Sequence, residues 1–190
     1  MPEVGNKGRI LYLTGSTGTG KSTIGKLLAR NLNAGFADTD TLIENNEGRT
    51  VMDIFAEDGE AVFRQIETNT IKELAERGPK DRVLVVATGG GLILAEENRR
   101  LMRRSGTVIW LKTPVSELVR RLQGDTARPL LQNQDLEQKL TAMLEERTQF
   151  YQDCDFSVET GTPEMTVRQI LSGLECESGA ASEKMIDCKA

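Results

Sequence analysis

Gly15-Ser16-Thr17-Gly18-Thr19-Gly20-Lys21-Ser22 has the spacing G-x-x-x-x-G-K-[ST], and no other feature of the chain constrains its fold as tightly. It follows a short apolar run, Ile10-Leu11-Tyr12-Leu13, that reads as a buried strand, and it precedes Ile24, Leu27, Leu28 and Leu32 at helical spacing. Glycines let the backbone curl so that successive N–H groups converge, and the helix start adds a partial positive charge, so such a loop suits phosphate oxygens. A glycine turn with a capping serine would account for the eight residues taken alone. With strand and helix in register, nucleotide binding is the better reading: Lys21 reaches the β- and γ-phosphates and the Ser22 hydroxyl ligates Mg²⁺. No Asn-Lys-x-Asp run, the usual guanine reader, follows a strand; Asn6-Lys7-Gly8-Arg9 precedes the first one and lacks the aspartate, which disfavours a GTPase switch.

Further apolar runs, Val83-Leu84-Val85-Val86-Ala87 and Val108-Ile109-Trp110-Leu111, stop at glycines and at Pro114. They are continuous rather than alternating, as in strands covered on both faces. Helical patterns lie between them: Val51, Ile54 and Phe55; Phe63, Ile66, Ile71 and Leu74; Val115, Leu118, Val119 and Leu122; then Leu136, Leu140, Met143 and Leu144. Strands alternating with helices imply a parallel sheet with right-handed crossovers. Thr162 and Pro163 begin a last helix with Val167, Ile170, Leu171 and Leu174 on its apolar face. One domain is expected over residues 1–175, and the change to Ser, Gly, Ala, Glu and Lys predicts a flexible tail over 176–190.

With 24 Lys+Arg against 29 Asp+Glu the net charge is −5, so the chain has no overall attraction for nucleic acid or an anionic membrane. It contains no run of ~18 apolar residues and no signal-peptide pattern at its start, and a cytoplasmic location is expected. Cys154, Cys176 and Cys188 fit neither a disulfide framework nor a metal site and are read as free thiols. Histidine is absent, so a general base must be a carboxylate or another group.

Asp38-Thr39-Asp40 follows Phe36-Ala37, and strand alternation would put both carboxylates on one side, near the C-terminal edge of the sheet where ligands bind. One could hold Mg²⁺ and the other accept a hydrogen bond from an attacking hydroxyl; equally, Asp40 could only cap a short helix. Gly89-Gly90-Gly91 either lets backbone amides approach a ligand or makes a tight turn, or both. Arg64 and Glu67, three apart on a helix, read alone as a surface pair worth ~0.3 kcal/mol. Arg128 lies in a polar stretch that could move over nucleotide, and Arg147 is either a solvated residue or an anion ligand.

Taken in order, these pieces resemble the shikimate kinase family: the phosphate loop at 15–22, Asp-x-Asp at 38–40, Phe-Arg-x-x-Glu at 63–67, Gly-Gly-Gly at 89–91, Arg-Pro-Leu-Leu at 128–131 and Arg-x-x-x-Tyr at 147–151. The resemblance runs from about Arg9 to Leu174. It implies a three-layer α/β/α, P-loop NTPase and nucleoside-monophosphate-kinase-like fold with a central, mostly parallel five-stranded sheet. Acceptor-binding helices would occupy about 41–77 and a lid about 123–134. The implied reaction passes the γ-phosphoryl of ATP to the 3-hydroxyl of shikimate, a step of aromatic amino-acid biosynthesis. Gly15, Ser16, Thr17, Gly18, Thr19, Gly20, Lys21, Ser22 and Thr23 would hold the nucleotide with Arg121 and Arg128. Catalysis would fall to Lys21, Asp40 and Arg128, and Mg²⁺ to Ser22 and Asp38. Asp40, Arg64, Glu67, Gly89, Gly90, Gly91 and Arg147 would form the acceptor pocket, with Arg64 and Arg147 clamping the carboxylate. Ala37 stands where family members often carry a larger aromatic residue. The competing readings are another small-molecule kinase, for gluconate or a nucleoside monophosphate, and a regulatory module that binds ATP without transfer. A monomer is expected.

Overall fold

The computed structural model describes residues 9–79, 83–123 and 136–186, with side chains through residue 176. Strands β1 (Ile10–Thr14), β2 (Gly35–Asp38), β3 (Leu84–Ala87), β4 (Gly106–Lys112) and β5 (Phe156–Glu159) form one sheet in the order β2-β3-β1-β4-β5. All four neighbouring pairs are parallel. Each crossover therefore needs a helix, and the chain supplies α1 (Lys21–Asn31), α2 (Thr39–Glu47), α3 (Val51–Glu57), α4 (Gly59–Arg77), α5 (Glu96–Ser105), α6 (Val115–Leu122), α7 (Leu136–Tyr151) and α8 (Pro163–Ile186).

The continuous apolar runs have the expected cause. Along β1, Leu11 and Leu13 pack with Ile24 and Leu28 of α1 and Val167 and Ile170 of α8, whereas Ile10 and Tyr12 pack with Ile71 of α4, Met102 of α5 and Tyr151 of α7. Alternate side chains of one strand thus enter two separate cores, which gives the three-layer architecture. Ile43, Ile54 and Phe63 make a smaller core of their own that ties α2, α3 and α4 into one unit beside the sheet. A capping box between Thr50 and Asp53 starts α3 and fixes the turn from α2.

β5 carries no apolar run, and only Val158 in it is buried. It is held instead by pairing with β4 and by Asp155, whose carboxylate accepts from Val108 N at 2.7 Å while its own N–H donates to Val108 O at 2.9 Å. Helix α8 starts as read, with Thr162 Oγ1 accepting from Met165 N at 3.3 Å. It continues beyond 176 to Ile186. That stretch contains no proline, and extending an existing helix is far cheaper than starting one, so a change of composition alone does not end it. Cys154 and Cys176 are free thiols, and Cys188 lies outside the described residues. Among the described residues no helix is long and apolar enough to cross a membrane.

Candidate active site

The glycine-rich loop joins β1 to α1. Gly20 precedes the helix with φ 86°, a left-handed conformation that favours glycine, and no side chain caps the helix start. The first N–H groups of α1 are therefore left for another acceptor. Lys21 Nζ donates to the carbonyls of Gly15 and Ser16, each at 2.8 Å, which holds the ammonium across the loop. Ser16 is buried and its hydroxyl has no hydrogen-bond partner, so the loop interior is polar and incompletely satisfied. Ser22 Oγ donates to Asp38 Oδ2 at 2.5 Å. A hydroxyl and a carboxylate side by side make an oxygen-only pair, which suits Mg²⁺, an ion that takes one or two protein oxygens and fills its shell with phosphate and water. Among the described residues there is no group of three or more carboxylates or thiols that would form a fuller metal cage. Thr23 is exposed in the first turn of α1, and Arg121 pairs with Glu117 at 2.7 Å while its Nη1 lies 3.4 and 3.3 Å from the carbonyls of Gly18 and Thr19.

The two aspartates do not continue one strand alternation, which corrects that expectation. Asp38 ends β2 and caps α2, its Oδ1 accepting from Asp40 N at 3.1 Å; Asp40 sits in the first turn of the helix and is not the cap. The junction is fixed by Thr39, fully buried, whose Oγ1 accepts from Gly89 N at 2.8 Å.

The triple glycine shows why side chains are excluded there. A Cβ on Gly89 would lie 2.7 Å from Asp40 Oδ1 and 2.7 Å from Glu67 Oε1, and one on Gly91 would lie 2.7 Å from Arg64 Cζ. One on Gly90 would face the other way, 3.4 Å from Thr17 N in the phosphate loop. The carbonyl of Gly90 accepts from Tyr151 Oη at 2.8 Å and Arg147 Nη1 at 3.5 Å. Asp40, Arg64, Glu67 and Arg147, from three helices, therefore meet at a three-residue loop whose other side touches the phosphate loop.

Arg64 and Glu67 are not a surface pair. Glu67 is 1% exposed and its Oε2 accepts from Arg64 Nη1 at 2.6 Å. Burial pushes the Glu67 carboxyl above its usual range; Arg64 opposes this, the Asp40 carboxylate adds to it and Arg147 works against it. Burial alone would lower the Arg64 guanidinium, but Glu67 and Glu60 outweigh it and hold its pKa up. Arg147 Nε is buried without a hydrogen-bond partner, a donor of the kind a carboxylate can take. Arg128 and the lid expected over about 123–134, beyond Gln123 itself, lie outside the described residues.

Sequence reasoning passed over Thr39, Glu60 and the ring of Phe55. The first is a small residue between two aspartates, with no local signal. Glu60 was detectable from its i,i+4 spacing to Arg64, and Phe55 only once α3 folds back to put its ring centroid 5.8 Å from Arg64 Cζ.

Burial pushes the Tyr151 phenol from 10.0 up to about 12, with Arg147 pulling the other way. A folded pKa above the unfolded one means that the contribution is complete below pH 10 and is lost as pH rises toward 12. Between those limits the unfolding free energy of the wild type should fall by ~2 kcal/mol more than that of Tyr151→Phe, followed by urea titration at each pH. Equal slopes would contradict the assignment.

Comparison with known proteins gives the same frame. The sequence profile described as shikimate kinase matches residues 17–175. A shikimate kinase of Synechococcus elongatus is 48% identical over 164 residues, 85% of this chain and 84% of that protein. The structure of the Acinetobacter baumannii shikimate kinase in complex with shikimate superposes with TM-score 0.82 at 37% identity, covering 90% of this chain and 94% of that one. A gluconokinase of Sinorhizobium meliloti, at 19% identity, TM-score 0.54 and coverage of 97% and 98%, shares the fold alone. With its phosphate loop, its five-stranded parallel sheet and this degree of similarity, the chain belongs to the shikimate kinase family and is an ATP-dependent phosphotransferase.

Proposed function

We propose that the chain transfers the γ-phosphoryl group of ATP to the 3-hydroxyl of shikimate, giving shikimate 3-phosphate and ADP. The observation that carries this reading is the Gly89–Gly91 loop, with two carboxylates and two guanidinium groups on one side and the phosphate loop on the other.

In this reading Arg64 and Arg147 grip the acceptor's carboxylate, Glu67 holds Arg64, and Gly89 to Gly91 leave room for the ring. Asp40 takes the proton of the 3-hydroxyl as its oxygen attacks phosphorus, while the bond from the γ-phosphorus to the bridging β-oxygen breaks. Lys21 and the loop N–H groups hold the phosphate chain in line and stabilise charge as it shifts to the leaving ADP. Arg128 acts on the transferred group; Arg121 lies on the nucleotide side. Bound Mg²⁺ would neutralise phosphate charge, and Ser22 with Asp38 would hold it. The chain works as a monomer in the cytoplasm.

Arg64→Ala should raise the Michaelis constant for shikimate by about 30-fold or more and change kcat less, because the clamp binds ground and transition states alike. An unchanged Michaelis constant for shikimate would remove Arg64 from the pocket. A coupled ADP-release assay with shikimate and gluconate tests the acceptor: turnover should be confined to shikimate, and preferential turnover of gluconate would overturn the reading.

A further inference from the structure

We propose that Glu60 is an internal competitor for the acceptor's carboxylate, occupying the Nε/Nη2 edge of the Arg64 guanidinium on which a carboxylate can dock. The proposal rests on the acceptor reading above and adds a residue that sets affinity for it.

The guanidinium offers five N–H donors, and a carboxylate engages it best in a fork along one edge. Nη1 is held by the buried Glu67 at 2.6 Å. The opposite edge is already in use: a single oxygen, Glu60 Oε1, bridges it by accepting from Nε at 3.2 Å and from Nη2 at 2.9 Å. The plane of the group has little freedom, since Gly91 backs onto it and the rings of Phe55 and Phe63 lie with centroids 5.8 and 5.5 Å from Cζ.

Its two carboxylate partners differ in kind. Glu67 is 1% exposed and cannot leave without abandoning a buried charge; Glu60 is 65% exposed and can swing into water. An acceptor that docks in fork geometry on Arg64 therefore displaces or shares with Glu60 and leaves Glu67 in place. Glu60 also lies in the first turn of α4, where negative charge is favourable, and it partners the Arg64 guanidinium when no acceptor is bound. These benefits come with a weaker hold on the acceptor.

Glu60→Gln removes the competing charge and keeps the shape. The Michaelis constant for shikimate should fall about two- to threefold, in keeping with the modest strength of an exposed pair one helical turn apart, and that for ATP should not move. Turnover of the neutral shikimate amide should gain nothing, because it brings no carboxylate to the contest. Glu60→Ala should move the constant in the same direction, and a thermal melt of both variants checks that α4 is intact. If Glu60 serves only to position Arg64, either substitution raises the Michaelis constant; a rise or no change overturns the competitor. Wild-type protein that does not phosphorylate shikimate overturns the acceptor reading as well, so the two failures are distinct.

Discussion

Lys21→Ala is expected to lower kcat by about 10²–10⁴-fold, the loss seen when a donor aimed at developing charge is removed from a phosphoryl-transfer or oxyanion site. The ammonium is anchored by the carbonyls of Gly15 and Ser16 at 2.8 Å each, so its position is set by the loop itself and does not wait for substrate. If it faces charge that develops on the phosphates, a donor fixed in this way should favour the transition state over the ground state. The loop's backbone N–H groups and the uncapped start of α1 remain in the variant, so ATP should still bind, with a smaller change in its Michaelis constant than in kcat. Stability should change little, because the Lys21 side chain is only half-buried. Steady-state kinetics at saturating shikimate measure this directly; a loss of less than tenfold would mean that Lys21 only helps to shape the loop.

Asp40→Asn should lower kcat by about 10²–10⁴-fold through loss of a proton acceptor, while shikimate binding weakens less. Asparagine keeps the size of the side chain and its hydrogen-bonding reach. Helix α2 should survive, since its cap is Asp38 and not Asp40. The same division separates this variant from Asp38→Asn, whose effect would pass through both the cap and the contact with Ser22. Parallel measurement of kcat and the acceptor Michaelis constant distinguishes a base from a binding group: a rise in the Michaelis constant alone would make Asp40 a binding residue.

Local features of the chain could be read before folding. The phosphate loop is one, because strand, glycines, lysine, serine and helix follow one another within 23 residues. The opposed apolar faces of β1 are another, since a continuous Ile-Leu-Tyr-Leu run has to be covered twice. Long-range features were less accessible. Arg64 and Glu67 look like any exposed helical pair, and the burial of the glutamate appears only in the fold, where Gly89 approaches Glu67 and Gly91 approaches Arg64. Asp38-Thr39-Asp40 reads as a continuing strand because nothing in it marks where β2 stops; the cap geometry decides it. β5 stayed hidden because edge pairing, not apolar patterning, holds it, and α8 outran its apolar face because helix extension needs no such face.

The proposed reaction needs an acid held on the guanidinium groups opposite a triphosphate on the loop before α1. Incubation with Mg-ATP and shikimate, with the products resolved by mass and the phosphorylated carbon located by NMR, tests it most directly. The predicted result is one shikimate 3-phosphate for each ADP formed. ADP released without phosphorylated acid, or phosphate carried on a different hydroxyl of the ring, would contradict it.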